Sequence, residues 1–197
     1  MTPKTHNFLK TAAWFVLLSA PTWAHAHEGH LTASVSGLLD GLMHPFTGLD
    51  HLAAMLAVGV WSAIAVRPVW MAPLAFVTVM AMGAVIGFAG VQVPAVEPMI
   101  AASLLVIGLL MAWRQRMPWA AAAAVAGVFA LFHGAAHGLE LAGAQAWPAW
   151  VGMVVSTALL HVAGVVIGYR MDSRPWLQRS TGGALALMGS SWLLGLM

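Results

Sequence analysis

Cysteine is absent from this 197-residue chain. Disulfides, thiolate metal sites and cysteine nucleophiles are therefore excluded, and any transition-metal site must use imidazole, carboxylate, backbone or thioether donors. Charge is almost as scarce, with 7% of residues Asp, Glu, Lys or Arg against 61% hydrophobic. The pI is near 9.7, yet the basic residues are too few and scattered to form a nucleic-acid-binding patch, so no nucleic-acid partner is expected. No Walker motif is present, which argues against nucleotide hydrolysis within this chain, and no HExxH occurs.

What remains is apolar. A mean hydropathy of +0.86 and several runs of about 20 apolar residues describe a polytopic, all-α membrane helix bundle with the lipid bilayer as its surroundings. The first residues read as an export signal. Lys4 and Lys10 form a positive region, Ala12 to Ala20 an apolar core, and Pro21 breaks it ahead of a small-x-small site. Cleavage is expected after Ala24 or Ala26, giving a signal peptide over 1–26. Residues 27–47 form a histidine-containing leader and a short outer-side helix, and 48–197 a six-helix transmembrane domain. The six stretches run roughly 48–66, 69–90, 96–113, 118–138, 148–169 and 180–196. Arg67, then Arg114 and Arg116, then Arg170, Arg174 and Arg179 fall in alternate connections. Positive charge stays cytoplasmic, so both mature termini are expected in the periplasm of a bacterial inner membrane. The two sets of three stretches would have opposite orientation, which permits an inverted repeat. No convincing similarity between the halves is visible in their residues.

Against this background two polar clusters stand out, His44-Pro45-Phe46-Thr47-Gly48-Leu49-Asp50-His51 and Phe132-His133-Gly134-Ala135-Ala136-His137-Gly138-Leu139-Glu140. An ionised Asp at a bilayer centre costs on the order of 2.5–3.5 kcal/mol on insertion scales and usually marks a site or an ion path. On the expected topology both clusters lie near the outer face. His133 and His137 are four apart and share a helical face, a familiar bite for a divalent metal, and Glu140 extends that face. His44 and His51 would stand about 10.5 Å apart on a continuous helix, too far to share an ion. Pro45 and Gly48 interrupt the helix between them and let His44 fold back. Asp50 either ligates directly or orients an imidazole.

Lesser candidates are Asp40, which supports the entry region, Met55, whose thioether competes with a core-filling role, and His161, a deeper relay or a satisfied core histidine. In the leader, His27 and His30 beside a new amino terminus suit Ni(II) or Cu(II) capture.

HPFTGLDHLAAMLAVG (44–59) and FHGAAHGLE (132–140) resemble the two signatures of the HupE/UreJ family, hydrogenase and urease accessory membrane proteins regarded as nickel or cobalt permeases. The resemblance covers essentially the whole chain. It implies metal-handling roles for His44, Asp50, His51, His133, His137 and Glu140. The first motif also resembles the His-x4-Asp-His signature of the separate nickel/cobalt permeases, but here five residues separate His44 from Asp50.

The expected function is a secondary permease importing a divalent transition metal, Ni2+ first and Co2+ second, for urease or hydrogenase maturation. It would be no enzyme, with no prosthetic group; the bound or transported ion is Ni2+, Co2+ or Zn2+. Neutral imidazole is the ligating form, so capture should weaken below about pH 6. Two alternatives are an intramembrane zinc-dependent hydrolase, with Glu140 or Asp50 as base, and a non-transporting metal-binding accessory protein. Oligomeric state stays open, a homo-oligomer included.

Overall fold

A computed structural model describes residues 37–143 and 146–196. The expected signal peptide, the leader, His27 and His30 lie outside the described residues. The described chain is helical. A short helix α1 (Leu38–Met43) passes through a 3-10 turn (His44–Phe46) into α2 (Leu49–Ala65), followed by α3 (Met71–Phe88), α4 (Val96–Ala112), α5 (Trp119–Glu140), α6 (Ala146–Met171) and α7 (Pro175–Leu193). Each of the six apolar stretches read from the sequence is thus a helix, with α7 starting five residues earlier than expected.

Three of these, α3, α5 and α6, are long and apolar enough to cross a membrane. The segments Leu38–Phe46 and Leu49–Ala65 pass the same test only as a pair, bent by 83°. The bend follows from chemistry: Pro45 supplies no backbone N–H, and Gly48 caps α2 in an extended conformation. At 17 residues α4 is apolar but shorter, and the less apolar α7 does not join the spanning helices.

Two very short strands, β1 (Val66–Arg67) and β2 (Met117–Pro118), pair in parallel and tie the arginine-bearing ends of α2 and α5 together. Arg67 closes the C-terminus of α2, its Nη1 donating to the carbonyls of Ala63 and Val66 at 2.8 and 2.7 Å. Ser62 Oγ donates to the Val69 carbonyl across the same turn.

The helices associate as three couples, α3 with α5, α2 with α6, and α4 with α7, while α1 lies on α6. Small residues make these couples possible. A Cβ placed on Gly83 or Gly87 would strike the α5 backbone, and one on Gly59 the α6 backbone. Trp61, Phe76, Met80, Met111 and Met153 fill the interior.

The exterior is apolar as well, with Leu74, Met82, Val85, Val155 and Leu159 exposed along the helices. Trp70, Trp113, Trp119 and Trp176 are exposed at the arginine-bearing end, and Trp147 at the other. An apolar belt flanked by aromatic residues is the surface that a bilayer stabilises.

Candidate metal centre

The bend in the α1–α2 segment decides where His44 goes. His44 leaves α1 on the 3-10 turn and reaches across to the C-terminal turn of α5. Its Nε2 donates to Glu140 Oε2 at 2.8 Å and lies 3.0 Å from His137 Nδ1. His137 Nδ1 stands 3.1 Å from the same Glu140 oxygen. His44, His137 and Glu140 are the group of three that offers one ligand atom each within mutual reach of a single ion, among the described residues. The triangle has sides near 3 Å. Three donors each about 2.1 Å from an ion, on perpendicular axes, would stand about 3.0 Å apart. The set therefore matches one face of a six-coordinate ion and leaves three positions for water or further ligands.

Beside this triangle stands His51, at the start of α2. Its ring centroid is 4.4 Å from that of His137 and 5.2 Å from that of His133. Asp50 fixes it: one carboxylate oxygen accepts both the His51 backbone N–H at 2.9 Å and its Nδ1–H at 3.0 Å. Of the two roles open to Asp50 in the sequence, this geometry is that of an orienting acceptor.

The two motifs, more than eighty residues apart, thus meet at one end of the bundle. His133 shares a face of α5 with His137, as its spacing requires, but it sits deeper and outside the triangle. Its Nδ1–H donates to the Phe129 carbonyl at 2.9 Å, and its ring packs 5.3 Å from Phe76.

On the other side of Phe76 lies His161, with centroids 5.1 Å apart. Its Nδ1–H donates to the Met55 carbonyl at 2.8 Å. His133 and His161 are buried, and the Nε2 of each has no hydrogen-bond partner among the described residues. A histidine held by one ring nitrogen and presenting the other is arranged as metal ligands are. Met55 contributes its carbonyl to His161 while its side chain fills the core. Asp40 is exposed on α1, and its carbonyl accepts the His44 backbone N–H.

Two residues here were not singled out from the sequence. Phe76 separates His133 from His161, and its apolar helix gave no reason to choose it over other aromatic residues. Glu97 lies in the first turn of α4. Its only signal was that it is one of six acidic residues in the chain.

Comparison with known proteins bears on the identity of this arrangement. The family described as HupE / UreJ protein matches residues 15–192. Among curated proteins, Protein HupE of Rhizobium leguminosarum bv. viciae is 41% identical over 193 residues, covering 96% of this chain and 100% of that protein. No solved structure matches the chain. The match from end to end, with both histidine motifs inside it, means that this chain belongs to the HupE/UreJ family.

Proposed function

We propose that the chain is a secondary permease that carries a divalent transition metal inward, with Ni2+ as its main cargo and Co2+ as an alternative, to serve hydrogenase or urease maturation. In this reading α2 to α7 all span the inner membrane, and the histidine-bearing end faces the periplasm with both mature termini. The observation that carries it is the His44–His137–Glu140 triangle, continued inward by His51, His133 and, past Phe76, His161.

A partly hydrated dication arriving from outside meets two imidazoles and a carboxylate, enough to replace some of its water but not all. Ligation needs His44 Nε2 and His137 Nδ1 free of hydrogen, each neutral ring then carrying its one proton on the other nitrogen. Buried imidazoles beyond the triangle then offer successive nitrogen donors as far as His161, with the Phe76 ring between His133 and His161. Two imidazoles and one carboxylate suit Ni2+ and Co2+, and exchange from such a partial set is easier than from a closed cage.

The driving force does not require nucleotide hydrolysis. Two charges crossing 100 mV gain about 4.6 kcal/mol, at roughly 2.3 kcal/mol per charge, which supports about thousand-fold accumulation at 1.4 kcal/mol per decade.

The test is nickel uptake into proteoliposomes with an imposed inside-negative potential. His137→Ala and Glu140→Ala at matched protein content are expected to lose most of the uptake. Unimpaired uptake in both variants, or none with the unmodified protein, would overturn the reading.

A further inference from the structure

The contacts between helices repeat themselves in register. A Cβ on Gly83 of α3 would meet Leu131, Gly134 and Ala135 of α5, and one on Gly164 of α6 would meet Leu56, Gly59 and Val60 of α2. Gly164 lies 81 residues after Gly83, while the α2 partners lie 75 residues before their α5 counterparts. One turn on, Gly87 faces Ala135 and Gly138, and Gly168 faces Val60 and Ala63, at the same two offsets. The reverse view agrees: Gly134 faces Met80 and Ala84, and Gly59 faces His161 and Val165.

The third couple maps onto itself. Gly108 of α4 faces Gly182 and Ala186 of α7, and 81 residues later Gly189 faces Ala101 and Leu105, which are the positions 81 residues before Gly182 and Ala186. Corresponding helices run in opposite directions: α2 begins at the histidine end and α5 finishes there. The halves α2–α4 and α5–α7 therefore form an inverted repeat about an axis across the bundle.

The repeat concerns backbone contact, not chemistry. The same offsets take His133 to Val58, His137 to Ser62 and His161 to Met80, so the metal-binding groups occupy one end only. The other end carries polar groups of a different kind. A cavity of about 430 Å³ there is lined by Ile64, Arg114, Gln115, Arg116 and Gln178. By the 75-residue offset, Ile64 corresponds to Leu139, beside Glu140 of the triangle. By the 81-residue offset, Gln178 corresponds to Glu97. Two of the lining residues thus have repeat partners in the terminal turns of α4 and α5 at the histidine-bearing end.

Gln178 is also the unusual polar group of that end. It is fully buried, and its Nε2 donates to the carbonyls of Met171 and Asp172 at 2.9 and 3.3 Å. Its Oε1 has no hydrogen-bond partner among the described residues.

We infer that this cavity is the inner vestibule of the permease, and that the dication leaves through it past the amide oxygen of Gln178; this rests on the permease reading above. A single neutral oxygen holds a dication weakly, as an exit needs, because conduction requires binding weak enough to release. The direction of net flux is set by the membrane potential.

Because the chain has no cysteine, an introduced one is its sole thiol. Gln115→Cys, labelled in detergent with a bulky maleimide and then reconstituted, is expected to lose nickel uptake about tenfold or more relative to the unlabelled variant. Labelled Ser173→Cys, at the same end but outside the cavity, is expected to keep it. Gln178→Ala is expected to slow uptake severalfold while nickel binding to the solubilised protein, measured by calorimetry, stays unchanged. Full uptake by labelled Gln115→Cys, or equal loss in labelled Ser173→Cys, overturns the vestibule. Normal uptake by Gln178→Ala removes the amide's role. If Gln178→Ala fails to bind nickel, its fold is disturbed and the labelled Gln115→Cys result decides. Absence of uptake in the unmodified protein overturns the permease reading instead.

Discussion

At the scale of single residues, the site is organised by what holds each imidazole. Asp50 holds His51 by its Nδ1, the Phe129 carbonyl holds His133, and the Met55 carbonyl holds His161. Removing such a support leaves the ring in place but releases its tautomer and orientation. Asp50→Asn keeps the volume and loses the charged acceptor. We expect nickel affinity to fall on the order of 10- to 100-fold with helix content unchanged, measured by calorimetry and circular dichroism on the same sample. Undiminished affinity would place Asp50 outside the site. Met55→Leu offers the contrast: its side chain packs in the core and its contribution to His161 is a backbone carbonyl, so affinity should hold.

The two histidine motifs were legible as chemistry in the sequence because polar groups are so rare in it. Their partners were not. Spacing alone places His133 and His137 on one face, but the tightest donor set is formed across elements, by His44 with His137 and Glu140. Phe76 was illegible for a related reason. Its significance lies in the two histidines that face it from other helices, and it carries no local pattern.

At the scale of helices, glycine decides how closely two backbones approach. A Cβ on Gly134 would run into the Met80 carbonyl, and one on Gly164 into that of Leu56. Neither neighbour can yield without moving a helix. Gly134→Ala should therefore lower stability by about 1–3 kcal/mol, read as an earlier thermal transition in detergent. Gly183 lies in α7 with nothing within 4 Å of a Cβ. Gly183→Ala should be neutral or stabilising by up to about 1 kcal/mol, since glycine inside a helix costs roughly 0.5–1 kcal/mol relative to alanine. The reverse order of stabilities would refute the packing account. The helices themselves were readable from runs of apolar residues, and the break near Pro45 from proline's missing N–H. Their couples were not, because a Gly-x-x-x-Gly pattern announces a close contact without naming its partner. The absence of resemblance between the halves has the same origin. The correspondence lies in small residues at contact positions, while the side chains around them differ.

At the scale of the whole molecule, an electrogenic carrier should respond to the membrane potential alone. Collapsing an imposed 100 mV, inside negative, ought to bring nickel inside vesicles down from about thousand-fold accumulation to near equality, by the roughly 2.3 kcal/mol per charge that the potential supplies. Accumulation indifferent to the potential would require a different coupling. Orientation can be tested separately. Ala142→Cys, just beyond α5 at the histidine end, should react with an impermeant maleimide added to intact spheroplasts, while Gln115→Cys should react only after lysis. By itself the sequence determined the helical class, the approximate helix boundaries and which side chains carry metal-ligand chemistry, because each depends on local composition and on spacing along one strand of chain. The tertiary structure decided which donors meet, which helices pair and that the two halves are inverted copies, because those depend on contacts between segments that the chain itself keeps far apart.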